Sequence, residues 1–359
     1  MTARYYSVIM AGGVGKRFWP RSRKNSPKQL LDIVGSDTMI NLTIKRLLRV
    51  SPLEHLLIIT NYEQAEMIMK QYPGLTWDNF IIEPSGKNTA PAIALAAAVI
   101  HKKDPGAVMG LFPADHLIQN DEEFINCLKE GIRIAESKDV LVTFGIEPTR
   151  PATGYGYIQV EKEPLPESPL VHKSKTFAEK PNIETARRFL ASGEFLWNSG
   201  MFIWRTDVIL NEIERFIPEL YEIIDDVCSK IGTADYESTL QDLWRTIKPI
   251  SIDYGVMENA KHVKVIRAKF GWSDVGSWDA VYALENKDKF GNVLRGEGYL
   301  LESSGNYIYS SKDQVFARNI HNLIVIADKG VIMIIPRDES EQIKNIVDAL
   351  PVVGKEDLL

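Results

Sequence analysis

The sequence predicts a doubly wound α/β fold, with a mostly parallel sheet wrapped by helices and a small β domain at the C-terminal end. Three observations predict it. Short, continuously apolar runs alternate with helix-like stretches up to about residue 150. Such runs mark strands buried on both faces, the usual condition of a parallel sheet. From residue 291 onward, short strands recur between Gly and Asn turns, the mark of a small all-β unit. The chain's 359 residues also exceed what one compact core usually holds.

Taken in order, strands are expected at residues 5–10, 56–60, 80–83, 108–112 and 140–144. Helices are expected between them at 39–50, 62–71, 91–103 and 122–137. After Arg150 the rhythm changes. Strand-like pieces at 157–160, 202–205 and 263–268 mix with helices between 206 and 246, an insertion suited to a second substrate's pocket. The C-terminal strands are 299–301, 307–309, 315–317, 323–326 and 331–335, followed by a helix at 339–350. A boundary in the region 286–297 divides the chain into domains 1–290 and 291–359.

Composition narrows the function classes. Hydrophobic residues make up 45% and charged residues 25%, an ordinary soluble globular balance. A net charge of −6 argues against a broad nucleic-acid surface but leaves anionic small substrates open. No apolar run reaches the length of a membrane span. Cys127 and Cys228 lack metal-ligand spacing and read as reduced thiols, which points to a cytoplasmic protein.

The segment from Ala11 to Arg17 (Ala-Gly-Gly-Val-Gly-Lys-Arg) directly follows the first strand. Gly12, Gly13 and Gly15 permit positive φ and let backbone N–H groups approach phosphate oxygens as an anion-binding nest. Lys16 and Arg17 add cations beside it. The spacing is neither the Walker pattern nor the dinucleotide fingerprint. A tight strand-to-helix turn accounts for the glycines alone. Lys28 supplies a third cation, and three around one glycine loop fit a triphosphate better than a bare turn.

Other segments carry double readings. Between Glu83 and Pro91, Asn88 or Thr89 would cap an Ala-rich helix, and a helix start also offers donors to a base or phosphate. Asp115 falls at the carboxyl end of a buried strand, where sheets of this class bind ligands. Asp274 lies in a segment too polar for a core. Each Asp alone is an ordinary turn or cap, and sequence spacing does not pair them. Together they would suit one Mg²⁺, which takes a few carboxylates plus substrate phosphates. Gly154 and Gly156 would allow backbone approach to a sugar or make a β-turn. Glu179 with Lys180 could be only a surface ion pair. Asn198 precedes the expected strand at 202, and Asp253 lies in a short polar segment.

The run Ala11 to Arg17, then Phe18-Trp19-Pro20 and Pro27-Lys28-Gln29, resembles the signature of sugar-phosphate nucleotidyltransferases. The Trp19-Pro20 and Pro27 to Leu31 forms are closest to the mannose-1-phosphate guanylyltransferases. The later segments follow in that family's order through roughly three quarters of the chain. The resemblance implies GTP and mannose 1-phosphate as substrates, GDP-mannose and pyrophosphate as products, and Mg²⁺ as cofactor. It implies that Ala11, Gly12, Gly13, Gly15, Glu83, Lys87, Asn88 and Thr89 meet the nucleotide, with the Glu83 segment on guanine. Gly154, Glu179, Asn198 and Asp253 would face the sugar, with Lys180 near its phosphate. Asp115 and Asp274 would hold the metal, and Lys16, Arg17 and Lys28 the triphosphate. A left-handed β-helix-like C-terminal domain and a homodimer built through it follow from the same resemblance.

The pattern has departures. Lys87 stands where the family often has Arg, Asn259 where Lys is common, and Ala178 where Val is usual. Longer relatives continue into an isomerase domain after this point, so a single activity is expected. The rival readings are another sugar phosphate (glucose or heptose 1-phosphate), another base (UTP or ATP), a non-catalytic nucleotide-sugar sensor, or a β scaffold.

Overall fold

The computed structural model describes residues 4–359. The chain forms two compact units. The first takes residues 4–12, 43–114 and 118–272; the second takes 13–42, 115–117 and 273–359.

The first unit is built on a nine-stranded sheet. Its strands are β1 (Tyr5–Met10), β2 (Leu56–Thr60), β3 (Phe80–Ile82), β4 (Val108–Pro113), β5 (Leu141–Ile146), β6 (Tyr157–Val160), β7 (Val171–Ala178), β8 (Phe195–Arg205) and β9 (Val263–Ala268), in the order β3-β2-β1-β4-β8-β5-β9-β7-β6. The expected mostly parallel sheet is corrected to a mixed one. β3, β2, β1 and β4 are parallel, as are β5 and β9. The long strand β8 runs antiparallel between β4 and β5, and β7 and β6 close the far edge antiparallel. The expected strand at 202–205 is only the end of β8. Asn198 and Ser199 were expected to precede the strand, yet they lie inside it. Their polar groups are satisfied there: Asn198 N–H donates to Gly156 O at 2.8 Å, Asn198 Nδ2 to Asp253 Oδ1 at 2.8 Å, and Ser199 Oγ accepts from Met201 N–H at 3.3 Å. Strand β7 and the helix Ile183–Ser192 were not expected at all; β7 is polar over His172 to Thr176 and offers no apolar run.

Alternation along β4 sends Met109 and Leu111 to the core that holds helix Thr89–Lys103, and Phe112 to Phe124 of helix Asp121–Ser137. A Cβ at Gly131 of that second helix would clash with Ile203 of β8, so the helix lies close on the sheet. Four helices start at an Asn whose side chain accepts a backbone N–H: Asn61, Asn88, Asn120 and Asn182. The Asn88 cap starts its helix at Thr89, earlier than the expected residue 91. Helix Met39–Leu47 stops short of the expected residue 50.

In the second unit, β10 (Val293–Arg295), β12 (Tyr307–Ser310) and β14 (Leu323–Asp328) form one parallel ladder, while β11 (Gly298–Leu301) pairs in parallel with β13 (Val315–Arg318). β15 (Val331–Pro336) closes the first ladder antiparallel. Between successive chain turns, the buried Asn306 donates to Asn292 Oδ1 at 2.9 Å and accepts from Leu323 N–H at 2.9 Å. The expected helix at 339–350 is corrected to a 3₁₀ stretch, Arg337–Gln342, followed by helix Ile343–Ala349.

The compact units also do not follow the expected cut between residues 290 and 291. Residues 13–42 belong with the C-terminal strands because Phe18, Trp19, Leu31 and Ile33 bury their side chains among Trp278, Tyr307, Ile324 and Met333. Phe18 meets Trp278 at 5.0 Å, and Trp19 Nε1 donates to Leu358 O at 3.0 Å. A sequence reading of apolar periodicity cannot see such pairing across some 260 positions. Among the described residues, no helix is long and apolar enough to cross a membrane.

Candidate functional site

The roots of two expected site loops are fixed by the sheet. β1 and β4 are neighbours, and Ala114 N–H donates to Met10 O at 3.0 Å just past their carboxyl ends. Thr60 Oγ1 donates to Ala11 O at 2.6 Å and Ala11 N–H to Ile59 O at 3.0 Å, anchoring the start of the glycine loop.

Within the second unit, Gly13 and Gly15 take φ of +81° and +76°. A Cβ at Gly15 would also sit 2.5 Å from Lys28 Cβ, so this position needs glycine twice over. The loop is pinned by Lys28 N–H to Val14 O at 3.0 Å and Ser22 Oγ to Gly15 O at 2.7 Å. Lys28 is only 5% exposed, and its ammonium donates to Asp115 Oδ2 at 2.8 Å, Asp115 O at 3.2 Å and Asp274 O at 2.9 Å. A lysine has three donors, so Lys28 binds the three chain segments together before it binds anything else. The expectation of a direct triphosphate contact is thereby sharpened: such a contact requires Lys28 to exchange one of these bonds.

Burial alone would raise the Asp115 carboxyl, but Lys28 and His116 beside it outweigh burial and hold it below its ordinary range. Burial lowers the His116 imidazole, against the opposing pull of Asp115 and Asp274, so it is neutral at pH 7. Beside Asp274, the buried Val275 has φ of +45°, a strained conformation for a β-branched residue. The cavity here, about 410 Å³, is lined by Gly15, Lys16, Arg17, Lys28, Asp115, His116, Asp274 and Lys344, among others. Lys16 is exposed and pairs with Asp348 at 2.6 Å; Arg17 is exposed. Among the described residues no three of His, Cys, Asp and Glu converge as a metal cage. Two carboxylates beside a lysine- and arginine-lined cavity do fit a hard cation that takes its other ligands from a phosphate-bearing molecule. Sequence reasoning missed His116 and Lys344 as lining residues. Lys344 carries no motif, and its place is set by packing of the C-terminal helix.

In the first unit, the segment from Glu83 to Pro91 is clasped by residues 244–252. Trp244 Nε1 donates to Ser85 O at 2.7 Å, Ala90 N–H to Ile250 O at 3.1 Å, and Ile252 N–H to Thr89 Oγ1 at 2.8 Å. Asn88 takes φ of +70°, and its Oδ1 accepts from Thr89 N–H at 2.9 Å. The capping role of Asn88 is therefore present. Lys87 donates to Arg245 O at 3.2 Å. Glu83 is pushed up to about 7 by burial, and its Oε2 is buried with no hydrogen-bond partner among the described residues. A Cβ at Gly12 would lie 3.9 Å from Glu83 Oε1, so loop root and segment approach closely here.

A second cluster in the first unit joins residues far apart in sequence. Asn198 in β8 donates to Asp253 Oδ1 at 2.8 Å, and Asn198 Oδ1 accepts from Gly200 N–H at 3.2 Å. Burial first, and the charge of Glu179 second, push Asp253 up to about 6. Glu179 pairs with Lys180 at 3.1 Å, yet its Oε2 is buried with no hydrogen-bond partner among the described residues. Lys180 takes φ of +48°. Gly154 is exposed, with nothing within reach of a Cβ, and does not join the cluster. Gly156 does: a Cβ there would clash with Glu179 Oε2. Asn88, Lys180 and Val275 are three non-glycine residues held at positive φ in expected site segments, and such strain collects at functional sites.

Comparison with known proteins bears on this geometry. Residues 6–290 match the family described as nucleotidyl transferase. A mannose-1-phosphate guanylyltransferase of Escherichia coli is 36% identical over 99% of this chain and 78% of its own. One from Klebsiella pneumoniae is 38% identical over 96% of this chain and 73% of its own. A solved structure from Thermus thermophilus, described as a mannose-1-phosphate geranyltransferase, superposes with a TM-score of 0.87 at 29% identity, covering 97% of this chain and 99% of that one. The chain belongs to the mannose-1-phosphate guanylyltransferase family.

Within that family the α/β nucleotidyltransferase core is shared, and this chain's departures acquire structural meaning. Lys87 reaches a backbone carbonyl with a single donor, where an arginine would offer a planar fork. Asn259 donates to Tyr254 O at 3.4 Å, tying the turn that carries Asp253.

Proposed function

We infer that this chain transfers GMP from GTP to α-D-mannose 1-phosphate, giving GDP-mannose and pyrophosphate. A phosphate oxygen of the sugar phosphate attacks the α-phosphorus of GTP in line. The new P–O bond forms as the α–β anhydride bond breaks, and its electron pair leaves with pyrophosphate. The attacking oxygen is already ionised, so catalysis rests on positioning and charge neutralisation rather than a general base.

The observation that carries this reading is Lys28. One buried ammonium bonds the segments of Asp115 and Asp274, the latter 246 residues away in sequence, around a cavity that Arg17 and Lys16 also line. Arg17, Lys16 and the N–H groups of the Gly13 to Gly15 turn hold the triphosphate. Glu83 is suited to the base: a buried, unpartnered carboxylate oxygen can accept from the N–H groups of guanine, and its absence would leave those groups unpaired. Asn88, Thr89 and Lys87 keep that segment in place. Glu179, Asn198 and Asp253 offer acceptors and an amide to sugar hydroxyls, and Lys180 pairs with the sugar's phosphate. Asp115 and Asp274 would hold a divalent cation, Mg²⁺ in our reading, which when bound offsets the charge that develops on the α-phosphate.

The C-terminal strands support two further parts of the reading. Their parallel ladders and buried asparagines agree with a β-helix-like coil, for which we propose the left-handed form. Tyr299, Leu301, Phe316, Ile332 and Ile334 are large apolar side chains left exposed on these strands. We propose that a second copy of the chain covers them in a homodimer. Free Cys127 and Cys228 agree with a cytoplasmic location.

The test is a panel of GTP, ATP, UTP and dTTP against mannose, glucose and heptose 1-phosphates, read by pyrophosphate release. The reading requires GTP with mannose 1-phosphate to give the highest kcat/KM. A higher value for another pair reassigns the substrate, and no turnover with any pair favours a nucleotide-sugar sensor.

A further inference from the structure

We propose that Lys344 is a phosphate-binding residue that the C-terminal helix contributes to the cavity for the departing pyrophosphate. The proposal rests on the functional reading above and extends it to a residue outside the nucleotidyltransferase motifs and beyond the matched residues 6–290.

Packing fixes the residue's position. Helix Ile343–Ala349 buries Ile343 and Val347 in the same core as Phe18 and Trp19, which directly follow the glycine loop. Residues four apart share a helix face. Lys344 and Asp348 are such a pair. Lys344 lines the cavity, and Asp348 bonds Lys16 at 2.6 Å. The face presented to the glycine loop is therefore ionic, while the adjoining face is core.

Charge accounting then singles out Lys344. The cavity holds four cationic side chains, Lys16, Arg17, Lys28 and Lys344, against the carboxylates of Asp115 and Asp274. Lys28 has all three donors engaged, and Lys16 is paired with Asp348. Among the described residues, Arg17 and Lys344 are the two lining cations whose side chains have neither an ion-pair nor a hydrogen-bond partner. Unpaired cations converging on one cavity make it a polyanion site. Pyrophosphate is the more highly charged of the two products, and it departs from the glycine-loop end of the triphosphate. Lys16 bonds a carboxylate that more than half faces solvent. Such a pair is weak and exchangeable, so the arriving phosphates can take Lys16 from Asp348 while Lys344 binds without giving anything up.

The experiment uses the full chain as wild type, Lys344→Ala and Lys344→Arg. Pyrophosphate binding is measured by calorimetric titration, and KM values are measured for pyrophosphate with GDP-mannose in reverse and for GTP and mannose 1-phosphate forward. Lys344→Ala should weaken pyrophosphate about tenfold in both Kd and KM, the loss expected of one charge-assisted contact. Lys344→Arg should stay within about threefold of wild type, and the KM for mannose 1-phosphate should not move. An unchanged pyrophosphate Kd in Lys344→Ala would overturn the proposal. So would an equal rise for mannose 1-phosphate, which would mark a structural disturbance. Failure of the wild type to make GDP-mannose would sink the functional reading, while the titration would still decide the role of Lys344.

Discussion

Replacing Lys28 with methionine keeps the apolar stem packed near Phe18, whose ring lies 5.2 Å from the ammonium, and removes only the charge and its three donors. Net hydrogen bonds to charged groups contribute about 1.5–3 kcal/mol each. The Asp115 side chain is mostly buried, at 36% exposed, and regains only part of its water when its partner goes, while Lys28 itself is 5% exposed. The expected loss is therefore about 3 kcal/mol, at the low end of the roughly 3–5 kcal/mol for breaking a buried pair. For a chain of 359 residues that lowers Tm by about 4 °C. Turnover should fall much further. Without the ammonium, the Asp115 and Asp274 segments lose their shared donor, and misplacement by about 1 Å costs roughly a hundredfold. Pyrophosphate release and a thermal melt monitored by circular dichroism read both effects. A variant with kcat/KM within about fivefold of wild type would show that Lys28 does not organise the site.

Three more outcomes follow from the geometry. Gly156→Ala places a methyl against Glu179 Oε2, so the KM for mannose 1-phosphate should rise at least about tenfold with the KM for GTP unchanged; a selective effect on GTP would move that cluster to the nucleotide. Asp253, pushed up to about 6 from 3.8, gives stability that is complete below about pH 4 and is lost as pH rises through 6. Asp253→Asn should therefore raise Tm at pH 7.5, by the equivalent of about 1–3 kcal/mol, and leave no such gain near pH 4, while lowering turnover. Melting curves with the same difference at both pH values would exclude the ionisation. Phe316→Glu, on a residue 72% exposed, should shift sedimentation from dimer to monomer; an unchanged dimer would place the interface elsewhere.

The sequence made the first strands and the glycine loop readable because each is a local pattern: an apolar run, a glycine spacing, an Asn before a helix. Asn198 was misread for the opposite reason. Its polarity suggests a loop, but inside β8 its amide is bonded by Asp253, a partner 55 residues away that no local window contains. The compact units likewise cut the chain differently from the division at residues 290 and 291, since Phe18 and Trp19 find their core in strands beyond residue 290. The choice between Gly154 and Gly156 was equally hidden, because it depends on where Glu179 points. Lys344 had no signal at all, as nothing in its neighbours distinguishes it from a solvated lysine. Charge-bearing motifs thus announced the chemistry, while the contacts that order them are tertiary.

The reaction is nucleotidyl transfer at the α-phosphorus. Its most direct test supplies GTP labelled with ³²P at the α or the γ position, together with mannose 1-phosphate, and separates the products. Transfer of GMP puts the α label in GDP-mannose and the γ label in pyrophosphate. Label from the γ position on the sugar, or released as inorganic phosphate without GDP-mannose, would contradict it.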